Sequence, residues 1–449
     1  MSRRVAVIGA GPAGCVVAAR LADAGLSVEL FEVGHEQAVY DPTTVASTFT
    51  GGASRLYLRG RGLGGGSAIN AGVQMWGSRD DYNSWERNHD CDGWNWSSVS
   101  AEITALGFPA ELPRAHELGA FSAAILAGAD SLGAPRIAHV AETRDGAGPV
   151  ALSLVDGRRN TTFDHYVTPR RDRITVREGV SVESLGIDDD MVTSVVLGDD
   201  VEELFDAVVV CAGAVWSPLL LRRSGVSRAG LGRHLKDHPS VAITVQVSDS
   251  REHEKAISSL VVASSDDGDS DINILPINHV SSSDPHVFYA QIAVALTQVE
   301  SEGSVHEVDG MADITLGTLS TDTDRRRMVG ALRLAEDLLG HDAVKSTSID
   351  AFVDERGTTF EMLMAHDDDA ISSFARRWPG PYSHAVGTCR MGRRNNDESV
   401  VDSGGAVHGV GGLWVADASV FPDIPRAATQ IPVMAVASRI ARNIAESIS

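Results

Sequence analysis

The chain has 449 residues and a formal net charge of -23, enough length for two domains with substantial cores and an acidity that argues against nucleic acid or anionic membrane surfaces as partners. No apolar run approaches the length of a membrane span. The four cysteines, Cys15, Cys91, Cys211 and Cys389, lack metal-ligand spacing, so no metal site is expected and a reducing, cytoplasmic setting is.

In chain order, Arg4–Gly9 reads as a short apolar strand, which leaves no room for a leader before it. It runs into Gly9-Ala10-Gly11-Pro12-Ala13-Gly14 and then an apolar helix. Gly9 permits the tight turn, Gly11 lets the backbone approach a pyrophosphate, and Gly14 lets the helix pack on the strand. Free N–H groups at the helix start favour the phosphate charge. Gly25 falls where a helix ends, and Ser27–Phe31 forms a second strand closing on Glu32, a carboxylate placed to accept from ribose hydroxyls. Together these elements predict a cradle for the ADP part of a dinucleotide, without saying which one. Further on, Gly64-Gly65-Gly66 lets the backbone lie flat against a ring system or pyrophosphate. The acidic runs at 188–190, 199–200, 202–203 and 367–369 read as solvated turns.

Asp206–Ala212 is a buried-type strand ending at Gly213, and Leu413–Asp417 is another, ending on an acid that opens a turn. Between them, roughly Ser240–Pro381 alternates β-rich runs (Val241–Val247, His286–Leu296, Asp313–Thr318) with polar turns. Arg325–Leu339 has helical spacing, and Ser264–Ser270 has the composition of a mobile loop.

Several blocks carry a resemblance. Gly60-Arg61-Gly62-Leu63-Gly64-Gly65-Gly66-Ser67-Ala68-Ile69-Asn70 closely resembles the first signature of the glucose–methanol–choline (GMC) flavoprotein oxidoreductases, and Arg79–Trp85 is similar to the stretch that follows it. The second signature is recognisable in Gly213-Ala214-Val215-Trp216-Ser217-Pro218 and the residues through Val226. Leu231–Pro239 is similar to the family's segment ending in Asp-His-Pro, and His384 through Met434 to its third region. The resemblance implies an α/β fold, α+β overall. A Rossmann-like FAD-binding domain (1–235 and 383–449) would carry an inserted antiparallel-sheet substrate domain (236–382). It also implies FAD contacts at Gly9, Gly11, Pro12, Ala13, Gly14, Glu32, Arg61, Gly64, Gly65, Ser67, Asn70, Val180, Ala212, Asp417, Ala418, Gln430 and Ile431.

Oxidising an alcohol requires a base for the hydroxyl proton, a role that suits histidine. Of fifteen histidines, His384 lies in Tyr382-Ser383-His384-Ala385-Val386-Gly387-Thr388-Cys389-Arg390-Met391-Gly392, which matches the family's catalytic block. His234, His238 and His408 sit in segments that build the fold. Gln430 stands where the family has a second His or an Asn; an amide can donate and accept but is no base at neutral pH. Ile69 replaces the histidine that carries a covalent flavin in some relatives, so FAD is expected without a covalent link. Gln74 departs from an aromatic-type position, and the chain is short for the family, which suggests missing lid or oligomerisation segments. The expected activity is oxidation of a small-molecule alcohol to an aldehyde or ketone. Hydride passes to flavin N5, His384 acts as base, and oxygen or another acceptor takes the electrons. Two alternatives stay open: a dehydrogenase feeding a quinone or carrier, and a repurposed flavoprotein or lyase without net redox turnover.

Overall fold

The parallel sheet is assembled from both ends of the chain. In a computed structural model that describes residues 3–35, 45–50, 53–248, 254–282, 284 and 286–448, its strand order is Leu413–Val415, Ala207–Val210, Arg4–Ile8, Ser27–Glu32 and Ile174–Glu178. Every pairing is parallel. Such a sheet is covered on both faces and wants continuous apolar strands; Ala207–Val210 is buried at every position, as are Val5, Ala6 and Val7. The helix Pro12–Asp23 packs against the C-terminal helix Gln430–Ile448. Four strands therefore finish side by side: Gly9 N–H bonds Phe31, Cys211 N–H bonds Ile8, and Ala416 N–H bonds Val210, all at carbonyl oxygens. Their carboxyl ends deliver Gly9, Ala212 and Asp417 to one edge, where ligands of open α/β sheets bind.

The second sheet is antiparallel. Its order is Ser348–Phe352, Pro239–Val247, Phe288–Leu296, Ile272–Val280, Ser259–Ala263 and Gly146–Pro149, with Gly380–Pro381 joining Pro239 and Ser240. The β-rich runs read at Val241–Val247 and His286–Leu296 are neighbouring strands within it, and Val241, Ile243, Val245 and Val247 are buried at alternate positions. Asp322–Gly340 is the helix expected at Arg325–Leu339, with Met328, Leu332, Ala335 and Leu338 on its buried face. Gly146–Pro149, from within 1–235, forms the far edge of this sheet against Ser259–Val262, so the chain visits it once before residue 236. The loop Ser264–Ser270 is tied down: Ser264 and Ser270 hydroxyls bond Asp145, Ser265 bonds Asp271, and Asp267 accepts from Arg326. Among the described residues no helix is long and apolar enough to cross a membrane.

The two sheets meet at a seam. Pro239 and Ser240 pair antiparallel with Pro381 and Gly380, and Lys236 pairs with Val386. Residues 236–240 and 380–386 thus run alongside each other and bring Asp237 and His238 to His384.

Candidate active site

Two of the three cradle glycines are required by the protein itself. A Cβ on Gly9 would lie 2.5 Å from the Cys211 carbonyl oxygen, and its φ is +104°. One on Gly14 would lie 1.8 Å from the Gly9 carbonyl oxygen. Gly11 is different: a Cβ there meets nothing within 4 Å, and its φ of -76° suits any residue. The room above Gly11 is left for something other than the chain. No side chain caps the helix that starts at Pro12, so the amides of its first turn, beginning at Ala13, point at that space uncapped. Uncapped amides beside open room are what a pyrophosphate needs, and the residues present fit the cofactor's phosphates.

The second glycine run closes over this turn. Gly64 N–H bonds the Ala10 carbonyl at 2.9 Å, and a Cβ on Gly65 would sit 2.8 Å from Gly11 Cα. Glu32 locks the two together by accepting from the amides of Ala10, Gly34 and Gly62, each at 2.9 Å. A carboxylate has about four acceptor positions, so one remains for a ribose hydroxyl. Val180 lies beside it, its N–H on the Glu32 carbonyl. Ser67 is buried and bonds the Gly64 carbonyl at 2.7 Å and Thr162 Oγ1 at 2.9 Å. Arg61 is exposed and reaches the Val33 carbonyl at 3.4 Å.

Across the sheet edge, Asp417 accepts from Gly213 N–H at 2.7 Å, Ser217 Oγ at 2.5 Å and Ser419 N–H at 2.8 Å. It caps the turn of Ala418–Val420 and anchors the helix Gly213–Arg223, whose N-cap is Ala212. Ala418 in turn accepts from Gly387 N–H at 3.2 Å, linking this edge to the block that holds His384.

His384 is fixed from three directions. Asp237 Oδ1 accepts the backbone amides of His238 and His384, each at 2.8 Å, and its Oδ2 takes the Tyr57 hydroxyl. That hydroxyl accepts Ala385 N–H at 3.1 Å, and Arg59 bonds the Ser383 carbonyl at 2.8 Å. Finally, His384 Nδ1 lies 2.9 Å from His238 Nδ1, with Tyr382 edge-on to both rings at centroid distances of 5.0 and 6.2 Å. Burial, then the charges of His238 and Arg59, holds the pKa of His384 well below the usual value. Burial likewise brings His238 down to about 4. Both imidazoles are therefore neutral at neutral pH. His384 keeps part of its surface open, and its Nε2 has no hydrogen-bond partner among the described residues. His234 and His408 are engaged elsewhere, with Glu302 and Glu398 and with the Gly392 carbonyl.

Gln430 opens the C-terminal helix and is buried. Its Oε1 accepts from Asn70 Nδ2 at 2.5 Å, and its Nε2 donates to Ser153 Oγ at 3.3 Å. Asn70 Oδ1 takes Gly72 N–H and Arg159, both at 2.9 Å. Each amide nitrogen has a second hydrogen beyond these bonds. Gln74 donates to the Pro109 carbonyl at 2.6 Å and to Ser153 at 3.3 Å, completing a buried polar chain from Asn70 to Gln74. Ile431 is buried behind Gln430. No hydrogen bond or ring contact joins Gln430 to His384 among the described residues. The loop before Gln430 is pinned by Arg426, whose guanidinium lies 3.0 Å from Asp81 with both side chains at most 5% exposed. Burial pushes Asp81 up to about 6 against the pull of Arg426.

Sequence reasoning missed His238 as a partner of His384, and missed Ser153 altogether. The Asp237-His238-Pro239 triplet was the available signal for the first; Ser153 carried none, since it meets Gln430 only through the fold.

Comparisons with known proteins bear on the family and the fold. The GMC oxidoreductase family matches in two blocks, residues 5–240 for its N-terminal part and 299–437 for its C-terminal part. Pyridoxine 4-oxidase of Microbacterium luteolum is 27% identical over 511 aligned positions, covering 98% of each chain. That alignment is longer than the 449 residues here, so the relative carries insertions this chain lacks. The 5-(hydroxymethyl)furfural oxidase of Methylovorus sp. (strain MP688) is 26% identical, over 86% of this chain and 82% of its own. The crystal structure of pyridoxine 4-oxidase from Mesorbium loti superposes with a TM-score of 0.87 at 24% identity, over 98% of this chain and 99% of that one, and shows the same fold. FAD is the cofactor typical of the family. The chain belongs to the GMC oxidoreductases.

Proposed function

We propose that this protein oxidises the CH–OH group of a small alcohol to an aldehyde or ketone, with non-covalently held FAD and oxygen or another acceptor as the electron sink. The observation that carries the reading is His384. It is a neutral, partly open imidazole, fixed through Nδ1, with Nε2 uncommitted, in a chain whose glycine cradle fits the cofactor's phosphates. FAD, when bound, supplies the acceptor for the hydride of the alcohol carbon. Gly11, Gly64, Gly65 and the first amides of the Pro12–Asp23 helix would hold its pyrophosphate, with Glu32 at a ribose. His384 receives the hydroxyl proton at Nε2, and a neutral imidazole is the form that can take it. Asn70 and Gln430 each keep a spare amide hydrogen, and these orient the substrate oxygen and stabilise charge developing on it. Ile69 offers no atom for a covalent flavin link, which supports a dissociable cofactor.

The test is anaerobic reduction of the bound flavin by a panel of alcohols, beginning with pyridoxine and 5-(hydroxymethyl)furfural because two relatives are oxidases of those compounds. At least one alcohol should bleach the flavin absorbance. His384→Ala should slow that step about 10² to 10⁴-fold while the protein keeps its FAD. Reduction at the parental rate in that variant would remove His384 from the chemistry. Oxygen uptake on mixing the reduced protein with air distinguishes an oxidase from a dehydrogenase.

A further inference from the structure

The contact between His238 and His384 determines where their protons sit. Their Nδ1 atoms are 2.9 Å apart, and the rings stand at 86° to one another. Two lone pairs would repel at that distance and two N–H groups would clash, so one nitrogen donates and the other accepts. Were His238 the donor, His384 would carry its proton on Nε2 and could only give a proton to a substrate oxygen. With His384 as donor, its Nε2 keeps a lone pair and His238 carries its own proton on Nε2.

The surroundings of His238 choose between these states. The carbonyl oxygens of Thr297 and Pro425 favour a proton on its ring, and carbonyls can only accept. Its Nε2 is buried with no hydrogen-bond partner of regular geometry among the described residues. With Nδ1 committed to His384, Nε2 is the place for that proton. The other polar groups at the pair are occupied. Asp237 is taken by two backbone amides and Tyr57, Arg59 by the Ser383 carbonyl, Asp423 by Lys236, and Tyr382 meets both rings through its own ring.

We infer that His238 is a positioning residue. By accepting the Nδ1 proton of His384 it fixes the tautomer whose Nε2 lone pair faces the alcohol. This rests on His384 being the base. In the step it serves, the substrate O–H bond breaks and an Nε2–H bond forms. The Nδ1–H···Nδ1 bond then becomes charge-assisted and stabilises the new imidazolium.

The tautomers are read directly from proton–nitrogen correlation spectra of the FAD-loaded protein with histidine isotopically labelled in its ring nitrogens. His384→Gln and His238→Asn identify the two sets of signals. His384 should be protonated on Nδ1 and bare on Nε2, His238 the reverse, with scalar coupling across the Nδ1···Nδ1 bond. A proton on His384 Nε2 overturns the inference. His238→Leu, which removes the acceptor, should give a mixture of His384 tautomers and slow flavin reduction about 10²-fold. His238→Asn, whose amide oxygen can accept, should restore the single tautomer and most of the lost rate. If Leu and Asn behave alike in both measurements, His238 only fills space. If the spectra are as expected but His384→Ala reduces flavin at the parental rate, the tautomer stands and the reading of His384 as base fails.

Discussion

In the glycine cradle, carboxylates reach backbone; at His384 and at Gln430, side chains also reach one another. Glu32 holds three main-chain amides, and Asp417 holds two and a hydroxyl. His238 with His384, Asn70 with Gln430 and Gln430 with Ser153 are all side-chain pairs. A backbone amide is supplied by any residue but proline, so the cradle tolerates change along its loops provided the two acids and the crowded glycines stay. Those three pairs have no such tolerance, because each bond depends on two particular side chains. Gln430 is therefore tied to its particular partners, Asn70 and Ser153.

The comparison breaks most visibly at the glycines. Gly14→Ala drives a Cβ into the Gly9 carbonyl and should cost more than about 4 kcal/mol, enough to prevent folding. Gly11→Ala should leave the stability of the cofactor-free protein within about 0.5 kcal/mol and selectively weaken FAD binding. Equal effects on apo-protein urea midpoints would show that Gly11 serves the fold.

Next in size is the buried pair beneath the pocket. Arg426→Met should cost about 3–5 kcal/mol in urea unfolding, since it strands the Asp81 carboxylate. Adding Asp81→Asn should recover much of that loss; strict additivity would mean the two do not act as a pair.

The histidines then make stability depend on pH. A pKa lowered from 6.5 to about 4 in the fold means that, as pH falls, His238 takes up its proton in the unfolded chain first. Stability is full above about pH 6.5 and declines toward pH 4, by about 3 kcal/mol for His238 alone. Urea midpoints across that window should flatten in His238→Asn. For the same reason the acid limb of flavin reduction should lie well below pH 6.5, where His384 finally protonates.

The smallest effect belongs to the amides. Gln430→Ala should slow flavin reduction by up to about 2 kcal/mol, less than loss of a well-organised oxyanion donor, without moving that acid limb. A shifted limb would make Gln430 part of the proton path rather than a support for the oxygen.

Much of the fold could be read because its signals are local. Gly9, Gly11, Gly14 and Glu32 lie within a single strand–helix–strand unit, and Ala207–Val210 announces its burial by composition. The antiparallel sheet was readable at Val241–Val247 and His286–Leu296. It was not at Gly146–Pro149, because a strand of Gly, Ala, Gly and Pro has no β signature and is held by its partner Ser259–Val262. His384 was legible as a motif. Its partner was not, for 146 residues separate it from His238, and the pairings Pro239–Pro381 and Lys236–Val386 that join them arise only in the fold. The acidic loop at 264–270 looked free by composition; its hydroxyls instead bond Asp145 and Asp271, and its Asp267 carboxylate accepts from Arg326.

Because the chain departs at Ser240 and returns at the paired Gly380, 140 residues later, the intervening excursion begins and ends at backbone points about 5 Å apart. An insertion closed at its base in this way can lengthen, shorten or be exchanged with little strain on the body that carries it. His238 and His384 lie outside the closure, one just before departure and one just after return. Transplanting the corresponding stretch from another GMC oxidoreductase would thus leave both histidines on their own segments, provided the graft keeps a carbonyl at the place of Thr297 and an edge strand for Gly146–Pro149 to pair with.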